Sequence, residues 1–270
     1  MSETFRYPLS FQTVLPDDYR TNKSFESLLG TLRELGFWGL ELNIGDPRGF
    51  AYEAVRRFLQ NHGLEFSMLA TGLTAHRLDL SLSSSDEKVR LRSVAICREL
   101  IDWVGNRVTG VIIGYLKGGQ CPDREEARGR FSRSLSEIVP RAEERRVCLL
   151  VEATNRYETA IANTVDEAAA FVEEYGADVA QILPDTFHMN IEEADPRGAL
   201  RRRRDRYASF HLSDNNRCFP GFGAIDFARY IALLDEIGYR GRLAIEGNIV
   251  NDLVSDARKS VAHLAPLLSA

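Results

Sequence analysis

Long apolar runs are absent from this sequence, and no stretch approaches the roughly 18 residues that cross a membrane. The opening MSETFRYPLS lacks the apolar core of a signal peptide. Cysteine is scarce: Cys97, Cys121, Cys148 and Cys218 lie far apart and form no CxxC or CxxH spacing. That argues against a disulfide framework and fits free thiols in a reducing, cytoplasmic compartment. Basic residues are in deficit, with a formal net charge of −5, whereas nucleic-acid-binding surfaces are usually basic. The glycine signatures GxGxxG and GxxxxGK[ST] are missing as well, which removes the usual marks of a nucleotide-binding sheet. No linker, repeat array or low-complexity segment divides the chain.

What is present is an ordinary enzyme-sized composition. Of 270 residues, 44% are hydrophobic and 27% charged, enough for a full core. A single domain over residues 1–270 is expected, because single α/β barrels run to about 250 residues. Strand and helix signals alternate throughout. FRYPLSFQTVL, WGLELNI, LEFSMLAT and RVTGVIIGYL read as strands of the first half. Helices follow them from Phe25 to Gly36, from Ala51 to Asn61, from about Ser85 to Gly105 and from Asp123 to Arg146. Pro140 predicts a kink or break in the last of these. The second half repeats the rhythm with strands VCLLVEAT, VAQILPDT, YASFHLSD and RLAIEGN, and Thr164 and Gly238 serve as helix caps. Eight such units imply parallel strands closed into a (β/α)8 TIM barrel.

In the C-terminal half, each apolar run ends on a side chain able to bind metal: Glu152, Asp185, His211 and Glu246. They are separated by 33, 26 and 35 positions, each about one strand–helix unit of roughly 30 residues. Strand ends of this kind converge on the active-site face of a barrel. Three carboxylates and an imidazole at one focus repel unless a cation lies between them. The oxygen-rich set with one nitrogen suits Mn²⁺, Mg²⁺ or Co²⁺.

A second layer follows in the loops. His188 and Arg217 offer donors for a carbonyl or hydroxyl oxygen, and Glu158 an acceptor for a sugar hydroxyl. His62, beside a helix-ending glycine, His263, on the last helix, and His76, in a loop, are weaker candidates. The basic run Arg201 to Arg204 reads as a solvated helix end.

The motifs EATNRYET, LPDTFHMNIEE, FHLSDNNRCFPGFGAIDF and AIEG resemble the ketose 3-epimerase family of xylose-isomerase-like barrels, whose members act on D-tagatose, D-psicose and L-ribulose. The resemblance is strong over residues 147–250. It implies one divalent metal, usually Mn²⁺ or Co²⁺, on Glu152, Asp185, His211 and Glu246, with Glu158, His188 and Arg217 touching substrate. It also implies a homodimer or homotetramer. Ala153-Thr154 and Gly247-Asn248-Ile249 depart from the family's usual residues, and FQTVLPDDYR lacks its pocket aromatics. These departures bear on the substrate, so a keto-sugar acid is expected as well as a neutral ketose.

Epimerisation beside a ketone needs two bases on opposite faces, here Glu152 and Glu246, around a cis-enediolate. The rivals are an aldose–ketose or hydroxypyruvate-type isomerase with the same metal, an endonuclease IV-like nuclease, and a non-catalytic sugar-binding barrel. Five histidines and a net charge of −5 count against the nuclease.

Overall fold

A computed structural model describes residues 5–105 and 110–269. The expected fourth strand begins at Arg107, so its first residues, 107–109, lie outside the described residues, as does the start of the opening segment. The elements run β1 (Leu9–Val14), α1 (Lys23–Glu34), β2 (Gly39–Asn43), α2 (Tyr52–Asn61), β3 (Glu65–Ala70), α3 (Gly72–Arg77), α4 (Glu87–Val104) and β4 (Gly110–Ile113). They continue α5 (Arg124–Arg145), β5 (Leu149–Glu152), α6 (Val165–Val172), β6 (Ala180–Leu183), α7 (Thr186–Glu192), α8 (Pro196–Arg202), β7 (Ser209–Leu212), α9 (Phe227–Glu236), β8 (Arg242–Ile245) and α10 (Leu253–Leu268).

The eight strands form one parallel sheet in the order β6-β5-β4-β3-β2-β1-β8-β7. Parallel ladders join every neighbour in that order, including β1 with β8, and the β2–β3 ladder shifts register between Leu40 and Glu41. Between β6 and β7 the ring meets through a lone parallel bridge, Asp185 to His211. Backbone bonds from His211 N to Pro184 O and from Ile182 N to Arg206 O, both 2.9 Å, support that seam. The result is a nearly closed barrel of eight parallel strands.

Alternation along each strand decides what enters the barrel. On β5, Leu149 and Val151 pack in the main core under the helices, while Leu150 joins Met68, Ala70, Ile112 and Leu183 in a small cluster inside the ring. Glu152, two residues beyond Leu150, therefore shares the inner face. On β7, Phe210 and Leu212 join the main core and leave His211 inward; on β8, Leu243 and Ile245 do the same for Glu246. Leu40 and Leu42 of β2 face the helices, so Glu41 points in as well.

Caps read from the sequence are present: Thr164 accepts from Glu167 N at 3.1 Å, and Gly238 has a φ of +69°. The predicted break at Pro140 is absent, and α5 runs unbroken across it. Pro140 and Ser136 both face solvent, so the carbonyl that loses its partner there is open to water. The long loop expected after β3 contains the short helix α3.

Candidate metal centre and substrate chamber

Glu152, Asp185, His211 and Glu246 each present one ligand atom, and these atoms all lie within 4.8 Å of one another. The first three side chains are buried or nearly so, and Glu246 is largely buried. His211 Nδ1 lies 2.7 Å from Glu246 Oε2, 3.6 Å from Glu152 Oε1 and 3.9 Å from Asp185 Oδ2. Even the shortest approach lacks hydrogen-bond direction: Glu152 Oε1, His211 Nδ1 and Glu246 Oε2 are all buried without a hydrogen-bonding partner. Buried polar atoms are rarely left so. Three orphaned atoms aimed at one point, three oxygens and a nitrogen among the four donors, fit a divalent cation.

The other face of the imidazole explains its orientation. Glu41 Oε2 accepts a hydrogen bond from His211 Nε2 at 2.8 Å, which leaves Nδ1 to face the carboxylates. Burial pulls the His211 pKa down, but the charges of Glu41 and Glu246, with the Glu152 carboxylate close to the ring, reverse that and hold it well above the ordinary value. Burial likewise raises the Glu246 carboxyl, yet Arg217 and His211 hold it at about 2. A chain of bonds backs Glu41: Leu73 N donates to Asn43 Oδ1, Asn43 Nδ2 to Gln12 Oε1 at 3.0 Å, and Gln12 Nε2 to Glu41 at 3.4 Å. None of Gln12, Glu41 and Asn43 stood out in the sequence. The available signal was a carboxylate inside the apolar strand WGLELNI.

The loop after β7 is built around Asp214. Its buried carboxylate accepts from the backbone N–H groups of Asn215, Gly221, Gly223 and Ile225 at 2.8–3.0 Å. That wrap holds Arg217, at a φ of +61°, over the Phe187 ring, with the guanidinium 5.1 Å from its centre. Arg217 Nη1 reaches Asp185 at 2.7 Å and Nη2 reaches Glu246 at 2.5 Å.

His188 lies on α7, whose first turn is capped by Asp185 itself, accepting from Phe187 N at 2.6 Å. Its Nδ1 accepts from the Asn155 side-chain amide at 2.8 Å and from Asn155 N at 3.2 Å. Two donors on Nδ1 put the proton on Nε2. That atom has no hydrogen-bond partner and lies 3.8 Å from Glu152 Oε1, facing the chamber. The same Asn155 amide donates to Glu158 Oε1 at 2.9 Å, so one buried asparagine sets both His188 and Glu158.

Below the centre, Lys117 is fully buried and donates to Glu152 O at 3.0 Å and Thr154 Oγ1 at 2.5 Å. Burial lowers its pKa to about 8, against the pull of Glu152 and Glu158. Gly114 leaves room for the carboxylate: a Cβ there would lie 2.2 Å from Glu152 Oε2, which would have to move.

The chamber at the centre has a volume of about 160 Å³ and is lined by Glu152, Glu158, His188, Arg217 and Glu246 together with Gln12, Asn43 and Tyr115. The remaining histidines do not join it. His62 bonds to Phe58 O, His263 packs on Phe227, and His76 is exposed at the end of α3. In the Arg201–Arg204 run, Arg201 pairs with Glu236, while Arg202 and Arg203 pair with Asp166. No helix among the described residues is long and apolar enough to cross a membrane.

A nearly closed barrel with its candidate metal ligands at the carboxyl ends of β5 to β8 defines a class, and comparison with known proteins gives the same one. A sequence profile of the xylose isomerase-like TIM barrels matches residues 29–267. L-ribulose 3-epimerase of Mesorhizobium japonicum is 32% identical over 226 residues, 82% of this chain and 74% of that protein. A solved L-ribulose 3-epimerase structure superposes with a TM-score of 0.81 at 27% identity, covering 99% of this chain and 95% of the other. The 3-dehydro-D-guloside 4-epimerase of Escherichia coli is 36% identical over 115 residues, 42% of this chain and 44% of that protein. The chain belongs to the xylose isomerase-like TIM barrels, among the ketose 3-epimerases, and is a carbohydrate epimerase.

Proposed function

We propose that the chain inverts the carbon next to the ketone of a sugar, carbon 3 of a free ketose or keto-sugar acid being the first case. Glu152 and Glu246 are the two proton-transfer groups. The observation that carries this reading is their placement. They enter one chamber from β5 and β8, with β6 and β7 between them, and each keeps a buried carboxylate oxygen without a hydrogen-bond partner. An aldose–ketose isomerase passes a proton between adjacent carbons on one face, and one base suffices. Two carboxylates from separate strands suit removal on one face and return on the other.

Glu152 takes the proton from one epimer while Glu246 delivers a proton to the opposite face, and the roles exchange in the reverse direction. His188, with its proton on Nε2, donates to the oxygen on which negative charge develops in the enediolate. Arg217 neutralises charge on the same side, and Glu158 accepts from a substrate hydroxyl. Glu152, Asp185, His211 and Glu246 would hold a divalent ion, Mn²⁺ in this reading with Co²⁺ or Mg²⁺ as substitutes. Such an ion, when bound, polarises the ketone and its neighbouring hydroxyl.

A nuclease reading has less support, because one candidate cluster occurs among the described residues and the basic run near Arg201 is paired with acids. A cytoplasmic location and a homodimer or homotetramer belong to the same proposal.

The test is a panel of ketoses and keto-sugar acids in heavy water with Mn²⁺, followed by NMR. Deuterium entering at carbon 3, with the epimer accumulating, is expected. Label at carbons 1 and 2 with an aldose as product would replace this reading by the isomerase.

A further inference from the structure

The reaction chamber is small, and it does not end blindly. Gln12, Asn43, Arg217 and Glu246 line both the inner cavity of about 160 Å³ and a second cavity of about 850 Å³. The outer cavity runs between the turn after β1 and the turn after β8, against α1 and α10. A ring sugar with the bulk of about six waters, at about 30 Å³ each, fills on the order of 200 Å³. The outer cavity therefore holds several times what a free ketose would occupy.

Its lining is mainly apolar, with Val14, Phe25, Leu28, Phe219, Ile249 and Val254 prominent. Val14 and Ile249 are 50% and 54% exposed, large apolar side chains with little of the protein packed on them. The charged groups at its edge are already engaged. Lys23 pairs with Glu26 at 2.9 Å, and Asp252 caps α10 by accepting from Val254 N and Ser255 N at 3.0 Å. A cavity that is polar at one end and apolar over the rest fits a ligand with the same division.

We propose that the substrate is a keto-glycoside whose aromatic or alkyl aglycone occupies this outer cavity while its sugar ring sits in the chamber. The proposal rests on the reading of the centre as an epimerase acting beside a ketone. With the anomeric carbon tied up in the glycosidic bond, the ketone lies on a ring carbon. The C–H bond beside it breaks, one glutamate takes the proton, and the other forms the new C–H bond on the opposite face. Substrate and product are isomers, so no oxidant or reductant is consumed.

The probes are phenyl and methyl 3-keto-glucopyranosides and D-fructose, each incubated in heavy water with the Mn²⁺-loaded protein and followed by NMR. The phenyl glycoside is expected to exchange with a kcat/KM at least tenfold above the other two. Ile249→Trp or Val14→Trp, each filling the outer cavity from an exposed position, is expected to bring the phenyl-to-methyl ratio towards one. Binding is read separately by saturation transfer to the phenyl protons in the Glu152→Gln protein. Fructose or the methyl glycoside exchanging as fast as the phenyl compound would overturn the aglycone proposal and leave the epimerase reading standing. No exchange with any of the three would remove both. A change in oligomeric mass on Ile249→Trp with an unmoved ratio would assign the cavity to a second copy of the chain and reject the aglycone.

Discussion

Glu41 on β2 and His211 on β7 meet across the barrel, 2.8 Å apart and 170 positions apart in the chain. The carboxylate fixes which imidazole nitrogen faces the candidate ligands, and a partner of this type commonly sets metal affinity. Glu41→Ala is expected to weaken Mn²⁺ binding by about tenfold to a hundredfold. Glu41→Gln, which keeps an acceptor oxygen, should recover part of that loss. Titration of Mn²⁺ followed by electron paramagnetic resonance measures both, and equal affinities in all three proteins would reduce Glu41 to packing.

The two-base scheme makes an asymmetric prediction for Glu152 and Glu246. Glu152→Gln and Glu246→Gln should each lower epimerisation by about a thousandfold, the usual scale for losing a general base. Each variant should still wash deuterium into a substrate, but into opposite epimers, because the remaining glutamate reaches one face. Exchange into the same epimer in both variants would eliminate the assignment.

Asn155 holds His188 with its proton on Nε2. Asn155→Asp places a carboxylate beside Nδ1 and draws the proton there, turning the chamber-facing nitrogen from donor to acceptor. A fall in kcat of about ten- to a hundredfold is expected, with Mn²⁺ affinity nearly unchanged. The ¹⁵N chemical shifts of His188 report the tautomer directly, and an unchanged pattern would detach Asn155 from that role.

Gly114 leaves no room for a methyl group beside Glu152 Oε2, which a Cβ would approach to 2.2 Å. Gly114→Ala should push the carboxylate out of the cluster. We expect Mn²⁺ affinity to drop by about tenfold or more, while stability without metal shifts by about 1 kcal/mol, as for a local adjustment. Calorimetric titration and thermal melts separate the two effects.

Loading the cluster should stabilise the fold by mass action. At a hundred times Kd the gain is about 2.7 kcal/mol, or roughly 5–10 °C in Tm for a chain of this size. Differential scanning calorimetry with Mn²⁺ and then with chelator is the measurement. A Tm indifferent to both would mean that these side chains hold no ion.

Much of the barrel was legible because its parallel strands are short apolar runs between amphipathic helices, and the polar ends of β5 to β8 interrupt those runs visibly. Glu41 was not legible in the same way. It sits inside a strand and its role depends on a partner that only ring closure brings near. Asn155 was visible in EATNRYET, but its two bonds depend on how the loop after β5 folds back on α7. The break read from Pro140 did not occur because the rule about helix interiors takes no account of which side faces water. Helix α3 was hidden in a segment whose six residues are too few for a periodic signal.

The seam between β6 and β7 gives the cation a further task. Asp185 and His211 form the lone bridge across it, and both belong to the candidate ligand set. Without the ion, mutual repulsion of the acids works against a seam that lacks a full ladder and rests on a few bonds, among them His211 N to Pro184 O and Ile182 N to Arg206 O. Bare margins recruit other chains, so starvation for the cofactor would favour clumping as well as cost turnover.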